Sequence, residues 1–249
     1  MNEKRRKIKL LLHYDGSGYH GWAAQPGMAT IQGTLQEAFY KLSGQAVTVV
    51  GSSRTDAGVH ALGQTAHVVL NDCPVPTENL QKALNRLLPA EIVIADLQEV
   101  EDSFHAISST VSKVYCYTIC TDPLRPVFDI RRCWHYPVNL DSGAMQQAAQ
   151  RLIGTRDFTS FAAAADQRQS SIRTILRCQV LSDPPWIRFE VEADGFLYNM
   201  VRNIVGTLTE IGRGRWNPEK IDEILEARDR AAAGPIAPPQ GLCLVKIHY

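Results

Sequence analysis

The stretch VTVVGSSRTDAGVHALGQTAHVVL (Val47–Leu70) places two strand-like runs on either side of a short polar loop. The first run ends at Val50, and the second extends over residues 64–70. β-branched residues favour strands, while Asp56 and Gly58 are typical turn residues. The stretch therefore predicts two neighbouring strands whose connection presents an aspartate, and such connections are where scaffolds place reactive groups.

Elements on both sides of this stretch complete a β-α-β-β-α-β order. The residue pattern predicts strands over residues 8–14, 46–53, 64–71 and 92–100. Thr30 and Thr77 are favourable N-caps for two helices, which Gly44 and Pro89 end. This order is ferredoxin-like, with both helices on one face of a sheet.

The second half of the chain is expected to follow the same plan with additions. The predicted strands cover residues 113–120, 131–136, 173–182, 186–193 and 242–248. Asp141 is a suitable N-cap for one helix, a second helix is predicted over residues 199–211, and Pro218 suits the first position of a third. Apolar and charged residues alternate over residues 186–193, which is typical of a strand with one buried face.

Composition limits the class of protein. The 249 residues are 45% hydrophobic and 21% charged, which is ordinary for a globular protein. No apolar run approaches the roughly 20 residues that span a bilayer. The basic run Lys4–Lys9 resembles the start of a signal peptide, but the apolar run after it, Leu10–Leu12, is too short. We therefore expect a cytoplasmic protein without membrane association.

The formal net charge is zero, which is unusual for a nucleic-acid binder. Local basic clusters can still bind phosphates, although each cluster is also compatible with an ordinary solvated surface. The clusters are Lys4–Lys9, Arg131–Arg132 and the group Arg168, Arg173 and Arg177.

Metal and cofactor chemistry is not indicated. The six cysteines form no CxxC pair, and the seven histidines show no metal-ligand spacing. We expect the cysteines to be small apolar residues of a reduced protein. No metal and no small-molecule cofactor is predicted.

Asp56 is the leading candidate for chemistry. The charge of a neighbouring arginine, Arg54, would lower its pKa and keep it ionised. An ionised carboxylate can act as nucleophile or base. The alternative is that Asp56 caps its own loop, as aspartates before glycine often do. His60 lies four residues further on and is interpreted as an uninvolved neighbour.

Three further residues allow two interpretations each. Arg202 stands in an otherwise apolar helix, where it either pairs with an anion or extends to the surface. Tyr115 and Tyr117 are two apart in a predicted strand and share a face. They provide either a stacking surface for unpaired bases or ordinary core residues.

Several short strings are spread over nearly the whole chain. In order they are YDGSGYHGW (14–22), TIQGTLQEAF (30–39), SRTDAGVHALGQ (53–64), FHA (104–106), KVYCY (113–117), DFTSF (157–161), FLYNMVRNIVG (196–206) and GLCLV (241–245). Taken together, these strings resemble the tRNA pseudouridine synthase A (TruA) family. The most specific match is SRTDAGVHALGQ, which is similar to that family's aspartate motif.

The resemblance implies a role for each matching residue. Asp56 corresponds to the catalytic carboxylate, and Tyr115 to the tyrosine that packs on the target base. Arg54 corresponds to the arginine that draws the uridine out of the stem. Arg202 corresponds to the basic partner of the aspartate, and Leu242 to an apolar residue that lines the pocket.

The resemblance also implies the fold and the reaction. We expect an α+β protein of two ferredoxin-like (RRM-like) halves, residues 1–105 and 106–249, with mixed or antiparallel sheets joined across a central active-site cleft and helices on the back. The implied activity is isomerisation of uridine to pseudouridine at positions 38, 39 and/or 40 in the anticodon stem-loop of tRNA. The implied assembly is a homodimer.

The chain departs from the family pattern in four places, and none of them removes a matched site residue. We expect these departures to affect loop flexibility, one phosphate contact and the range of substrates. They are Ser52–Ser53, Ile107, Ala23–Ala24 and Cys243. Two rival functions also remain open. One is an RNA-binding module without catalysis, and the other is a nucleoside hydrolase that uses Asp56 and His60.

Overall fold

The protein has an α+β fold, as predicted, with antiparallel sheets and separate helices. The computed structural model describes residues 5–166 and 168–249, so Lys4 of the predicted basic run lies outside the described residues. Two compact units form: unit 1 runs to Val111 and includes Leu244–Tyr249, and unit 2 is Ser112–Cys243.

Unit 1 has the predicted β-α-β-β-α-β order. Its elements are β1 (Arg5–Tyr14), α1 (Ile31–Ser43), β2 (Val50–Gly51), β3 (His60–Asn71), α2 (Thr77–Leu87) and β4 (Ile92–Val100). Strand β1 lies between β3 and β4 and is antiparallel to both. The helices α1 and α2 pack against each other, as expected for helices on one sheet face.

The C-terminal strand β10 (Leu242–His248) pairs with β3 and completes the sheet order β4-β1-β3-β10. The main chains approach closely, because a Cβ on Gly63 would lie 2.1 Å from the Val245 carbonyl oxygen. In addition, the Val111 N–H donates to the His248 carbonyl at 2.8 Å. By their contacts the compact units divide after Val111, and the last residues belong to unit 1, while the division into halves at residue 105 stays a prediction.

Strand β2 is much shorter than the predicted run over residues 46–53. Side chains of α1 take the hydrogen bonds that a longer strand would have made. Gln32 Nε2 donates to the Val49 carbonyl at 2.8 Å, and the Val49 N–H donates to Gln36 Oε1 at 3.5 Å. Since these main-chain groups are already paired, Val49 is buried without joining the sheet.

The start of α2 differs from the prediction, whereas α1 follows it. Thr30 caps α1 by accepting a hydrogen bond from the Gly33 N–H, and Gly44 ends the helix in the left-handed region at φ 71°. Thr77 is instead the first residue of α2, and Pro76 precedes it without a side-chain cap. The Thr77 hydroxyl accepts from Arg6 Nη1 at 2.9 Å, so a tertiary contact has replaced the local cap.

Unit 2 contains four antiparallel strands in the order β5-β9-β8-β7, with β6 parallel to β5. Its elements are β5 (Ser112–Cys120), β6 (Trp134–His135), α3 (Ser142–Gln150), β7 (Gly154–Asp157), β8 (Ile172–Asp183), β9 (Trp186–Ala193), α4 (Met200–Gly212) and α5 (Lys220–Ala227). Strand β9 alternates buried and less buried residues, as predicted.

Two elements of unit 2 depart from the sequence pattern. Strand β7 was not predicted, because its residues are polar and remain partly exposed, without apolar alternation. Helix α5 begins at Lys220 rather than at Pro218. A turn comes first, in which the Lys220 N–H donates to the Asn217 carbonyl at 3.2 Å. The Glu219 carboxylate forms an ion pair with Arg151, whose Nη2 lies 2.6 Å from Glu219 Oε1.

Within residues 5–166 and 168–249, no helix is long and apolar enough to cross a bilayer. The same residues contain no group of three or more His, Cys, Asp and Glu side chains arranged to hold a metal ion. The six cysteines are free thiols, as predicted.

The N-cap of α3 allows a test of the rule that an acceptor side chain at this position stabilises the helix. The Asp141 carboxylate accepts from the Ala144 N–H at 2.9 Å. We expect Asp141→Ala to lower the free energy of unfolding by about 1 kcal/mol, since an N-terminal N–H loses its acceptor. Urea denaturation measures the loss, and Asp141→Ser is the control that keeps an acceptor. Equal destabilisation by both substitutions would contradict this explanation.

Candidate active site

Asp56 lies half-buried in the loop between β2 and β3. Its main-chain carbonyl accepts from the Val59 N–H at 3.1 Å, and Gly58 adopts φ 79° to allow the turn. The turn is therefore closed by the main chain.

The segment Tyr14–Trp22, here called the cradle, holds this loop on both sides of Asp56. On one side the Trp22 N–H donates to the Thr55 carbonyl at 3.0 Å. On the other side the Gly58 N–H donates to the Tyr19 carbonyl at 3.3 Å. Two main-chain hydrogen bonds thus bracket the aspartate and limit the positions that its backbone can take.

Side chains add to the attachment of the loop. The Tyr14 hydroxyl and the Thr55 hydroxyl are hydrogen-bonded at 2.8 Å in a buried position. The Gly16 N–H donates to His60 Nδ1 at 3.1 Å, and the same nitrogen lies 3.2 Å from the Asp15 carboxylate. His60 is therefore part of the attachment between the cradle and the loop.

Glycines permit the close approach of these segments. A Cβ on Gly16 would lie 2.0 Å from the Val59 carbonyl oxygen. Gly21, at φ 87°, passes the Thr55 carbonyl so closely that a Cβ would lie 2.6 Å from it. A Cβ on Gly51 would overlap the Trp22 ring at 2.3 Å. Any side chain at these positions would push the loop away from the cradle.

Sequence reasoning assigned no role to Trp22 or to the glycines of the cradle. The available signal was their density, with glycines alternating with large aromatic residues in YDGSGYHGW. Such a pattern is typical of a backbone that packs tightly against another segment.

The loop is also held at its first residues. Gln64 Nε2 donates to the Ser53 carbonyl at 2.6 Å, and the Ser53 N–H donates to Gln64 Oε1 at 3.3 Å. The Ser52 hydroxyl is hydrogen-bonded to Thr110 Oγ1 at 2.8 Å. The Ser52–Ser53 departure from the family pattern is thus accommodated by specific hydrogen bonds. Arg54, next in the chain, is exposed to solvent.

Unit 2 carries the predicted tyrosines on β5. Tyr115 is paired in register with Val191 of β9 and is only 5% exposed. Its ring meets Phe196 edge-to-face, with centroids 5.1 Å apart and planes at 84°. This contact fixes the orientation of the Tyr115 ring.

Tyr117 shares the face of Tyr115 but is a core residue, which confirms one of the two interpretations for it. The ring is fully buried, and its hydroxyl donates to the Pro238 carbonyl at 2.7 Å. Burial strongly raises the pKa of the Tyr117 phenol, so this group stays neutral.

Arg202 lies in the first turn of α4 and is half-buried. Its Nε donates to the Ala237 carbonyl at 2.8 Å, and its Nη1 donates to Asn199 Oδ1 at 3.1 Å. Both of these acceptors are oxygen atoms of neutral groups. These bonds hold the half-buried side chain against the protein.

Leu242 opens β10 and is 5% exposed. It follows the short turn Pro239–Gly241, where a Cβ on Gly241 would lie 2.5 Å from the Tyr117 ring. The turn that precedes Leu242 is therefore packed against the buried Tyr117 ring.

Comparison with known proteins agrees with these motifs. A family model described as tRNA pseudouridine synthase matches residues 11–107 and 148–249. A protein of Thermoanaerobacter sp. (strain X514) named tRNA pseudouridine synthase A is 44% identical over 98% of this chain and 100% of its own. The protein of that name from Geobacillus kaustophilus (strain HTA426) is 42% identical over 98% and 95%.

A more distant match is a solved structure, "Crystal Structure of a Cbf5-Nop10-Gar1 Complex". It covers 82% of this chain and 54% of its own, with 11% identity and a TM-score of 0.34, and is too remote to bear on the fold. The family model and the full-length relatives are decisive: this chain belongs to the tRNA pseudouridine synthase family, whose members isomerise uridine to pseudouridine in tRNA.

Proposed function

We propose that this protein forms pseudouridine at positions 38, 39 and/or 40 of tRNA, with Asp56 as the catalytic carboxylate. The observation that carries the proposal is the bracketing of Asp56 by the main-chain bonds of Trp22 and Gly58. A loop that only needed to turn would not require such attachment. A reactive group gains from it, because catalysis depends on holding the group within a fraction of an ångström.

The reaction is an isomerisation that needs no co-reactant. The bond between C1′ of the ribose and N1 of uracil breaks, the base rotates, and a bond forms between C1′ and C5. The proton leaves C5 and N1 gains one. Asp56 attacks the sugar, adds to the base, or removes a ribose proton while the first bond breaks. One carboxylate suffices, whereas hydrolysis of such bonds generally uses a second carboxylate to activate water.

The remaining predicted residues are proposed to bind the target nucleotide. Arg54 is exposed beside Asp56 and is suited to displace a uridine from its stack, which costs a few kcal/mol. Tyr115 is held edge-on by Phe196 and is suited to pack against a base. Arg202 supplies a positive charge.

Leu242 is proposed to supply an apolar wall of the same site, because it is a buried aliphatic residue. Excluding water there would protect the detached base from side reactions. Since tRNA is the substrate, we propose that the protein acts in the cytoplasm.

The rival functions are less well supported. A nucleoside hydrolase would use the His60 imidazole to activate water, and in this structure the Nδ1 atom of His60 accepts from the Gly16 N–H and lies near Asp15, which gives the residue a role in attaching the loop. A protein that only binds RNA would not need a carboxylate whose main chain is held on both sides.

We expect Asp56→Asn to reduce pseudouridine formation by more than about 10³-fold, because the amide can act neither as nucleophile nor as base. The measurement is release of tritium from C5 of uridine in unmodified tRNA, with product analysis. Asp96→Asn, which changes an exposed carboxylate on β4, is the matched control. Pseudouridine formed at the wild-type rate by Asp56→Asn would refute the role of Asp56, and free uracil would indicate a hydrolase.

The attachment of the loop can be tested with Tyr14→Phe, which removes the hydroxyl bonded to Thr55 and keeps the ring. We expect kcat to fall by about 10- to 100-fold with a smaller change in KM, since the aspartate would be less well positioned. Tyr40→Phe, at an exposed tyrosine of α1, is the control. An unchanged kcat would show that this hydrogen bond does not position Asp56.

We also propose a homodimer. The connection between β5 and β6 exposes three apolar side chains to solvent: Leu124 at 79%, Val127 at 64% and Phe128 at 91%. Contiguous exposed apolar residues are typical of interaction surfaces. The same connection carries Arg125 and Asp122, so both signs of charge are present. Such a surface is complementary to a second copy of itself.

Light scattering after gel filtration tests the dimer. We expect a dimer for the wild type and a shift towards monomer for Phe128→Asp, because a buried interface would gain an unpaired charge. Ile172→Asp, at an exposed residue of β8, is the control. A monomeric wild type would refute the homodimer, and a dimeric Phe128→Asp would exclude this connection as the interface.

A further inference from the structure

A depression of about 250 Å³ lies on unit 2, and its lining includes Arg168 of the basic cluster named above. Three guanidinium groups surround it, those of Arg168, Arg228 and Arg230, and Ala162–Ala164 line it with small side chains. We call it the arginine pocket. Its volume is below the usual 300 to 1,000 Å³ of sites for drug-sized ligands, so it suits a small anionic group.

Each arginine of the pocket is oriented by its neighbours, and for Arg230 these include the Ala233 carbonyl, to which its Nη1 donates at 3.5 Å. Arg228 Nε lies 3.3 Å from the Asp157 carboxylate, and Arg168 Nη1 lies 2.5 Å from the Asp166 carboxylate. Arg230 Nη2 donates to Asn203 Oδ1 at 3.0 Å. A guanidinium has five N–H donors, so one such bond directs the group and leaves donors for a ligand.

The two carboxylates remain ionised and keep their arginines in place. The hydrogen bond from the Thr159 hydroxyl lowers the pKa of Asp157 against the effect of burial. Burial alone would raise the pKa of Asp166, but hydrogen bonds from the Tyr198 and Arg168 N–H groups, together with the charge of Arg168, outweigh it and lower the pKa.

Arg228 adopts an unfavourable backbone conformation. It ends α5 in the left-handed region at φ 48°, where helices usually carry glycine. A side chain in this region costs free energy, and such residues persist where the side chain is needed. Its side chain is 69% exposed, so packing does not explain the choice.

Further cations lie close to the pocket. Burial, followed by the charge of Arg168, lowers the pKa of Lys113 to about 8 and lowers that of Arg173. Arg168 is thus near two other positive groups as well as the two arginines across the pocket. Asp157, Asp166 and Asp194 offset part of this positive charge, and Asp229 also lines the pocket. An anionic ligand would interact with the arginine donors that these carboxylates do not use.

We propose that the arginine pocket binds a phosphodiester of the substrate tRNA. Arginine forks match phosphate geometry, and the alanine lining offers no aromatic ring for a base. The contact would therefore position the RNA without reading its sequence. The inference rests on the proposed function, because it assumes tRNA as the ligand.

Arg228→Gly is the decisive variant, because glycine suits φ 48° and the fold should not suffer. We expect a melting temperature no lower than that of the wild type. Binding of unmodified tRNA at 0.1 M KCl should weaken about ten-fold, as expected for a lost charged hydrogen bond. The plot of log K against log[KCl] has a negative slope, and its magnitude should fall by about 0.7 to 0.9, the value for one phosphate contact.

Two controls sharpen the test. Arg228→Lys should restore the salt slope but only part of the affinity, since an ammonium cannot bind a phosphate through a fork. Arg215→Ala removes an exposed arginine paired with Glu210 elsewhere on unit 2 and should leave affinity and slope unchanged. Wild-type affinity and slope in Arg228→Gly would overturn the proposal.

The outcomes separate this proposal from the proposed function. If Arg228→Gly binds tRNA weakly but forms pseudouridine normally at saturating tRNA, both stand. If the wild type binds tRNA with the expected slope yet releases no tritium, only the function is wrong. If inorganic phosphate raises the melting temperature of the wild type but not of Arg228→Gly, while tRNA affinity is equal in both, the pocket takes free phosphate and the phosphodiester proposal fails.

Discussion

The two main-chain hydrogen bonds beside Asp56 are the constraint on which the candidate site depends. One joins the Trp22 N–H to the Thr55 carbonyl, and the other joins the Gly58 N–H to the Tyr19 carbonyl. They can form only because Gly21 lets the backbone pass Thr55 at a distance that no Cβ allows. The position of the carboxylate is therefore set by a segment far from it in the chain.

The two units carry different candidate site residues on different kinds of element. Unit 1 presents a carboxylate on a loop between strands, and its sheet supplies the support beneath that loop. Unit 2 presents a ring and a guanidinium on regular elements: Tyr115 on β5 and Arg202 on α4. Groups on strands and helices are held more precisely than groups on loops. The loop that carries Asp56 is held in place by its hydrogen bonds to the cradle.

Local rules predicted helix ends correctly where no distant partner competed. Asp141 caps its helix, and so does Thr30, because each side chain reaches the N–H three residues ahead. The rule was wrong for Thr77, whose hydroxyl is bound to Arg6. The difference is one of competition, since a cap is worth about 1 kcal/mol and a hydrogen bond from a nearly buried guanidinium is worth at least as much.

The sequence by itself determined the strand and helix order, the α+β class, the family and the candidate residues, because alternation, caps and motif strings depend on neighbouring residues. The tertiary structure decided which polar groups meet. The Tyr14 and Thr55 hydroxyls are 41 positions apart, and Gly16 and His60 are 44 apart, so no local pattern could predict their hydrogen bonds. The tertiary structure also made Tyr117 a core residue and gathered Arg168, Arg228 and Arg230 around one pocket. Such contacts depend on how the chain returns upon itself, which is a property of the whole fold.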